Sequence, residues 1–255
     1  MKKNLNVGII GFGRFGQFIA KKMVNYGFNI YATNRTNYSH IANKIGVNFI
    51  EDNFEKLEKK LDIIIISVSI NSFEKILKSY PIEFWKNKII VDVLSVKIYP
   101  QKILKEYLDN IKCSILLTHP MFGPDSAKDN WNNKKFVWWL MDKNNNDDIN
   151  KINIFLDFWK YQGCELIKMN PSDHDTLAAD SQFLTHFIGR LLDLLNCKET
   201  NIDTDGYKSL LTIKNHTIND SWDLFSSIAK YNPKSKETIK KIKDQIKNLE
   251  NDLKI

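Results

Sequence analysis

A chain of 255 residues, 43% hydrophobic and 12% aromatic, can bury a sizeable core and has room for one large or two medium domains. No run of about 18 apolar residues occurs, which excludes a membrane-spanning helix, and Cys113, Cys164 and Cys197 are spaced neither as a disulfide framework nor as a metal site. The net charge of +7 raises nucleic acid as a partner, but the lysines spread over helix surfaces and gather only near the C-terminus, without interleaved aromatics; a solvated face, compatible with an anionic small substrate, is the better reading.

Residues 1–6 lead straight into an apolar strand over 5–10, leaving no room for a signal or transit peptide, so a cytoplasmic protein is expected. The strand runs into Gly11-Phe12-Gly13-Arg14-Phe15-Gly16. An amphipathic helix follows, with Phe18, Ile19, Met23 and Val24 on its inner face and Gly27 as its stop. This is G-x-G-x-x-G in the strand–turn–helix context that the motif requires. The first glycine permits the tight turn, the second lets a pyrophosphate approach the backbone, and the third lets the helix pack on the sheet. Free helical N–H groups and the helix dipole then hold the phosphates.

A second strand over 29–33 ends in Asn34-Arg35-Thr36. An NAD site usually carries Asp or Glu here for the ribose 2′-hydroxyl. Arg35, between Asn34 and Thr36, instead suits a 2′-phosphate and points to NADP. Of 37 basic residues only Arg14, Arg35 and Arg190 are arginine. Lysine serves wherever a plain charge suffices, so each arginine is a candidate for a bidentate grip on phosphate or carboxylate. Arg14, inside the glycine loop, can add charge at the same end of the cofactor.

The alternation continues with a helix over 37–45, a strand over 47–50, a helix over 54–60 and a doubly buried strand over 61–67. Ser67 and Ser69 end that strand, where small hydroxyl residues fit beside a nicotinamide ribose; a plain turn is the alternative. A helix over 72–79, a strand over 88–93 and a helix over 99–108 come next. Ser95 lies between the last two, either as a cap-like turn residue or as a hydroxyl aimed at a reacting oxygen. The strand 114–120 ends in Thr118-His119-Pro120, with Gly123 and Pro124 forcing a turn. His119 thus stands at the carboxyl end of a sheet strand, where open α/β folds bind ligands. It reads as an acid or base, or as a loop histidine bonded to backbone. A strand over 136–141, a polar loop over 144–150, a helix over 149–162 and a last strand over 164–169 complete this part. Repeated β and α elements indicate a doubly wound, Rossmann-type, mostly parallel sheet over 1–169.

Strands then cease, and residues 170–255 read as an all-helical domain. A long helix over 171–196 is apolar around most of its girth, as a buried helix or a dimer interface would be. Gln182, His186 and Arg190 nevertheless share one face at i, i+4 and i+8. A buried amide, imidazole and guanidinium require partners, which a structural network or a bound carboxylate can supply. Helices over 207–217, 221–231 and 234–253 finish the chain.

The glycine loop with Gln17 and Phe18, Asp92-Val-Leu-Ser-Val-Lys97, Thr118-His-Pro-Met-Phe-Gly-Pro124, His174-Asp175, Ser181-Gln-Phe-Leu-Thr-His186 and Gly189-Arg190 together resemble the prephenate/arogenate dehydrogenase family, nearest its plant-type arogenate branch. The resemblance extends over essentially the whole chain. It implies an N-terminal dinucleotide domain, a helical substrate and dimerisation domain, a homodimer, and NADP-dependent formation of tyrosine. It further implies His119 as the base that takes the proton of the substrate's ring hydroxyl. Ser95 would hydrogen-bond the same oxygen, with Gln182, His186, Arg190, His174 and Asp180 on the substrate side.

Two departures stand out. Many bacterial members carry an arginine where this chain has Leu211-Thr212-Ile213, with Lys208 nearby. Asp173, Asp175 and Asp180 surround the first half of the long helix, and an acid near the substrate side chain would favour the ammonium of arogenate over the ketone of prephenate. The alternatives are a prephenate dehydrogenase making 4-hydroxyphenylpyruvate, a β-hydroxyacid dehydrogenase of the same plan, and a non-catalytic NADP-binding protein. No metal is implied.

Overall fold

The computed structural model describes residues 5–51, 60–128, 130–142 and 144–255. The helix expected over 54–60 lies, but for Lys60, outside the described residues. The chain divides into two compact units, Met1–Pro171 and Ser172–Ile255.

The first unit is an eight-stranded sheet. Its strands are β1 (Asn6–Ile10), β2 (Asn29–Thr33), β3 (Asn48–Ile50), β4 (Ile63–Ile66), β5 (Ile89–Asp92), β6 (Ser114–Pro120), β7 (Lys135–Asp142) and β8 (Glu165–Lys168). They lie in the order β3-β2-β1-β4-β5-β6-β7-β8. All neighbours pair in parallel except β6 and β7, which are antiparallel. The order reverses between β1 and β4, the switch point where such sheets bind ligands at the carboxyl ends of their strands. Four consecutive isoleucines make β4 wholly inaccessible to solvent, because helices cover both faces of a parallel sheet.

Helix α1 (Arg14–Tyr26) buries Gly16, Ile19, Ala20 and Met23. It ends at Gly27, whose φ of 105° lets its N–H reach the carbonyls of Met23 and Val24. The crossovers include α2 (Ser39–Lys44), α3 (Ile70–Lys78) and α4 (Ile98–Leu108). Helix α5 (Asn146–Tyr161) begins inside the segment expected to be a loop. The Asn145 side chain accepts the amide of Asp148, and Asp147 and Asp148 complement the positive helix end. The Asn/Asp cluster is therefore a helix start rather than a linker. Trp159 on α5 stacks on Phe136 at 4.1 Å and on Trp131 at 5.2 Å, which fixes the β7 side of the core.

In the second unit the long helix is not continuous. Helix α6 (Pro171–Ala178) passes through a π-helical turn (Ala179–Phe183) into α7 (Leu184–Leu194). The turn inserts a residue and rotates the side chains that follow, so the simple i, i+4, i+8 spacing is broken at Gln182. The expectation of burial around most of the girth also fails for the single chain: Leu177, Leu194 and Leu195 are 56%, 85% and 65% exposed. Packed with these segments are α8 (Asp205–Ile218), α9 (Trp222–Tyr231) and α10 (Ser235–Leu253). A Cβ on Gly189 would lie 2.0 Å from Thr217 Oγ1, so glycine is what lets α7 and α8 approach.

Candidate active site

The glycine loop is built as a phosphate cradle. Gly11 has φ +100°, and a Cβ there would lie 2.2 Å from the Ser67 carbonyl oxygen. A Cβ on Gly16 would lie 2.3 Å from the Gly11 carbonyl oxygen. Gly13 differs: an added Cβ would meet no atom within 4 Å. Space is thus kept over the middle glycine, at the start of a helix with no side-chain cap and no acid in its first turn. Its N-terminal amides are left to a ligand anion, and these residues fit a dinucleotide pyrophosphate.

Neighbouring groups hold the loop. The Gly11 amide donates to the Thr33 carbonyl at 3.0 Å, and the Phe12 amide to Asn34 Oδ1 at 3.1 Å. Gln17 Nε2 donates to the Phe12 carbonyl at 2.9 Å. The Phe12 ring is buried against Phe49, and the half-buried Phe15 ring packs on Phe18. Both serve as loop anchors. Arg35 and Thr36 are exposed at the end of β2. Arg14 does not stand free beside them: its guanidinium takes both carboxylate oxygens of Asp125, at 2.8 and 2.9 Å. The loop after β6 supplies that acid, and one terminal nitrogen, Nη2, donates to both of its oxygens. Ser67 and Ser69 lie between β4 and α3; the Ser67 amide donates to Ile10, and the Ser69 and Ser72 hydroxyls are 3.0 Å apart.

His119 is the penultimate residue of β6, paired with Val137 of β7, and is 2% exposed. Ser95 sits half-buried in the bend between β5 and α4. The segments that carry these two residues are joined by a pair to which the sequence assigns no role. Asp92 and Lys97 form a buried ion pair, 0% and 1% exposed. The Lys97 ammonium also donates to the Thr118 carbonyl at 2.6 Å. The Asp92 carboxylate accepts the amides of Thr118 and Leu94, each at 3.1 Å. Burial pushes the Asp92 carboxyl up, against the opposing pull of Lys97 and the two amides. A lysine five residues from an aspartate, the latter at a buried strand end, was the available signal.

In the helical unit, Gln182 Oε1, His186 Nδ1 and Arg190 Nε are buried without hydrogen-bond partners. The rest of the Arg190 group is held: one terminal nitrogen donates to the Asp220 carbonyl at 2.5 Å, and the guanidinium lies 5.5 and 5.4 Å from the Trp222 and Phe225 ring centres. Asp220 Oδ2 stands 3.7 Å from His186 Nε2, with its side chain 38% exposed. Burial pushes the His186 imidazole down; Asp220 opposes this and Arg190 adds to it. The acid beside His186 is therefore Asp220, which belongs with Ser221 to the family resemblance but has no role assigned from sequence. Asp180 turns to α10, accepting from Thr238 at 3.2 Å and lying 3.8 Å from Lys241. His174 Nδ1 pairs with Asp175 Oδ1 at 2.8 Å, both buried, and Asn232 bonds the Asp175 carbonyl.

Residues 19–168 match the family model for the prephenate dehydrogenase nucleotide-binding domain, well over half of the chain. The chain belongs to the prephenate/arogenate dehydrogenase family. Residues 191–255 match a model described as the TYRAAT1-like C-terminal domain. Two relatives from Arabidopsis thaliana, the chloroplastic arogenate dehydrogenases 1 and 2, are 40% and 35% identical over 98% and 93% of this chain. The chain spans 39% of the length of the first and 67% of the second. Among solved structures, the fold resembles A. aeolicus prephenate dehydrogenase in complex with hydroxyphenyl propionate and NAD+ (TM-score 0.74, 19% identity, 97% of this chain and 90% of that one). It also resembles Synechocystis arogenate dehydrogenase (TM-score 0.68, 17% identity, 98% and 93%). For this family member the Rossmann-type expectation holds in strand order and strand direction. Among the described residues no helix is long and apolar enough to cross a membrane.

Proposed function

We propose that the protein catalyses NADP-dependent oxidative decarboxylation of arogenate to tyrosine. The observation that carries the choice of substrate is the carboxylate of Asp220 beside His186, with Arg190 bonded to the backbone carbonyl of the same residue. An unpartnered guanidinium N–H suits a substrate carboxylate. The carboxylate of Asp220 suits an ammonium. Arogenate carries both groups on its side chain, whereas prephenate has a ketone in place of the amine. The two Arabidopsis relatives, named as arogenate dehydrogenases, support the same reading.

The residues of the glycine loop and Arg35 would hold the cofactor, which would supply the acceptor for the hydride of the ring carbon that bears the hydroxyl. His119 takes the hydroxyl proton in that step. Ser95 donates a hydrogen bond to the same oxygen and holds it in line. As the carbinol becomes a carbonyl, the ring carboxylate leaves as carbon dioxide, its bonding electrons enter the ring, and the oxygen regains a proton as a phenol. The protein has only to orient the substrate and move one proton. Arg35, exposed at the end of β2 between Asn34 and Thr36, supports NADP as the cofactor. The apolar side chains that α6 and α7 leave exposed support a homodimer through the helical unit. Three free cysteines accord with a reducing compartment and a cytoplasmic enzyme.

The test is His119→Asn. NADPH formation from arogenate should fall by three orders of magnitude or so, on the scale of a lost general base (~10²–10⁴-fold), with NADP binding retained. Activity near wild type would remove His119 from the role of base.

A further inference from the structure

We infer that the buried Asp92–Lys97 pair is a positioning device that sets Ser95 and His119 relative to each other; this rests on the roles proposed above for those two residues. Asp92 ends β5 and Lys97 precedes the first turn of α4, so the pair closes the segment carrying Ser95 into a ring. The Asp92 carboxylate braces that segment from within through the Leu94 amide. The same two residues hold Thr118 on the neighbouring strand at three points, two through the charged side chains and one through the Asp92 backbone. Lys97 takes its carbonyl, an Asp92 oxygen takes its amide, and its hydroxyl donates to the Asp92 carbonyl. Thr118 is followed directly by His119, so one charge pair clamps the backbones that carry both groups.

The charges themselves argue for a role beyond stability. Both side chains are withdrawn from water. A buried ion pair is commonly no more stabilising than an apolar pair of the same volume, whereas breaking one by removing a single partner is strongly destabilising. What the pair supplies is direction: its two hydrogen bonds, to the Thr118 carbonyl and from the Thr118 amide, fix that residue along and across the strand. Asp92 and Lys97 touch no reacting atom in this scheme. They act through Thr118 and the 93–96 segment.

The experiment compares wild type, Lys97→Arg, Lys97→Met, the double variant Asp92→Asn/Lys97→Met, and His119→Asn, each with NADP bound and arogenate as substrate. Thermal melting and NADP affinity are measured beside kcat, the KM for arogenate, and the isotope effect on kcat with substrate deuterated at the hydride-donating carbon. Lys97→Met should lower kcat about a hundredfold, the scale of an ångström-level misplacement, and raise the isotope effect as hydride transfer becomes rate-limiting. NADP affinity should be unchanged, and Lys97→Arg should recover part of kcat.

If Lys97→Met fails to fold, the double variant carries the test. It leaves no unpaired buried charge, so it should fold, yet it lacks the lysine bond to Thr118 and should show the same loss and the same isotope effect. Either variant overturns the inference if its melting point falls while kcat and isotope effect per folded molecule stay at wild-type values. His119→Asn separates the two layers. If it is inert while the folded double variant is fully active, only the positioning inference falls. If it is active, the imidazole reading falls and the inference with it.

Discussion

Asp220 Oδ2 stands 3.7 Å from His186 Nε2, and Arg190, Gln182 and His186 each retain a buried polar atom without a partner. An acid and a guanidinium in one constellation match the two charges of an α-amino acid. Asp220→Asn should therefore lower kcat/KM for arogenate by tenfold or more, the scale of a lost charged hydrogen bond of ~1.5–3 kcal/mol, while activity with prephenate holds or rises. Steady-state rates with the two substrates check this. An equal loss on both would show that Asp220 does not read the ammonium.

The same pair gives a pH dependence. Burial holds the imidazole of His186 below its ordinary value, so the unfolded chain binds the proton more readily than the folded one. The stability this contributes is complete above the unfolded value of about 6.5 and is lost as pH falls through the folded value. Urea midpoints between pH 7.5 and pH 5 should fall less in His186→Asn than in wild type. They should fall more in Asp220→Asn, which removes the influence that raises the imidazole.

Arg35→Ala should raise the KM for NADP tenfold or more, again on the scale of one charged hydrogen bond, with NAD use barely altered. Arg14→Ala should have the smaller effect on NADP, because the Arg14 guanidinium is engaged by Asp125. That ion pair is largely exposed, at 70% and 50%, so Asp125→Ala should change stability by less than ~1 kcal/mol, and by less still in high salt.

The glycines of the loop should separate by function. Gly11→Ala combines a φ of +100° with a Cβ 2.2 Å from the Ser67 carbonyl, and should lose ~1–3 kcal/mol or more of stability. Gly13→Ala should leave stability within ~1 kcal/mol of wild type or raise it, since its φ of −77° suits alanine. It should nevertheless weaken NADP binding, because the methyl occupies the space kept for the pyrophosphate. Melting curves and cofactor titrations of the two variants distinguish them.

Local signals carried most of the nucleotide-binding unit. Glycines at 11, 13 and 16 must sit where backbone or ligand leaves no room for a Cβ, and the isoleucine run of β4 has no other use than a doubly covered strand. Where local composition was ambiguous, capping decided. The 144–150 segment is polar in the way a loop is, but Asn145 and two aspartates are also what a helix N-terminus prefers. The π turn in the long helix was not legible, because an inserted residue leaves the apolar content unchanged while rotating the faces that follow. The role of Asp220 was not legible because it lies 30 residues beyond Arg190 and is brought beside it only by the packing of α7 on α8, which Gly189 permits. The Asp92–Lys97 pair was visible as letters, but its burial and its two bonds to Thr118 are tertiary facts.

Initial rates with arogenate and prephenate, each with NADP and with NAD, test the account most directly. The predicted result is a kcat/KM for arogenate with NADP at least about tenfold above any other combination, one charged hydrogen bond being the margin. Equal or better turnover of prephenate, or a preference for NAD, would contradict it.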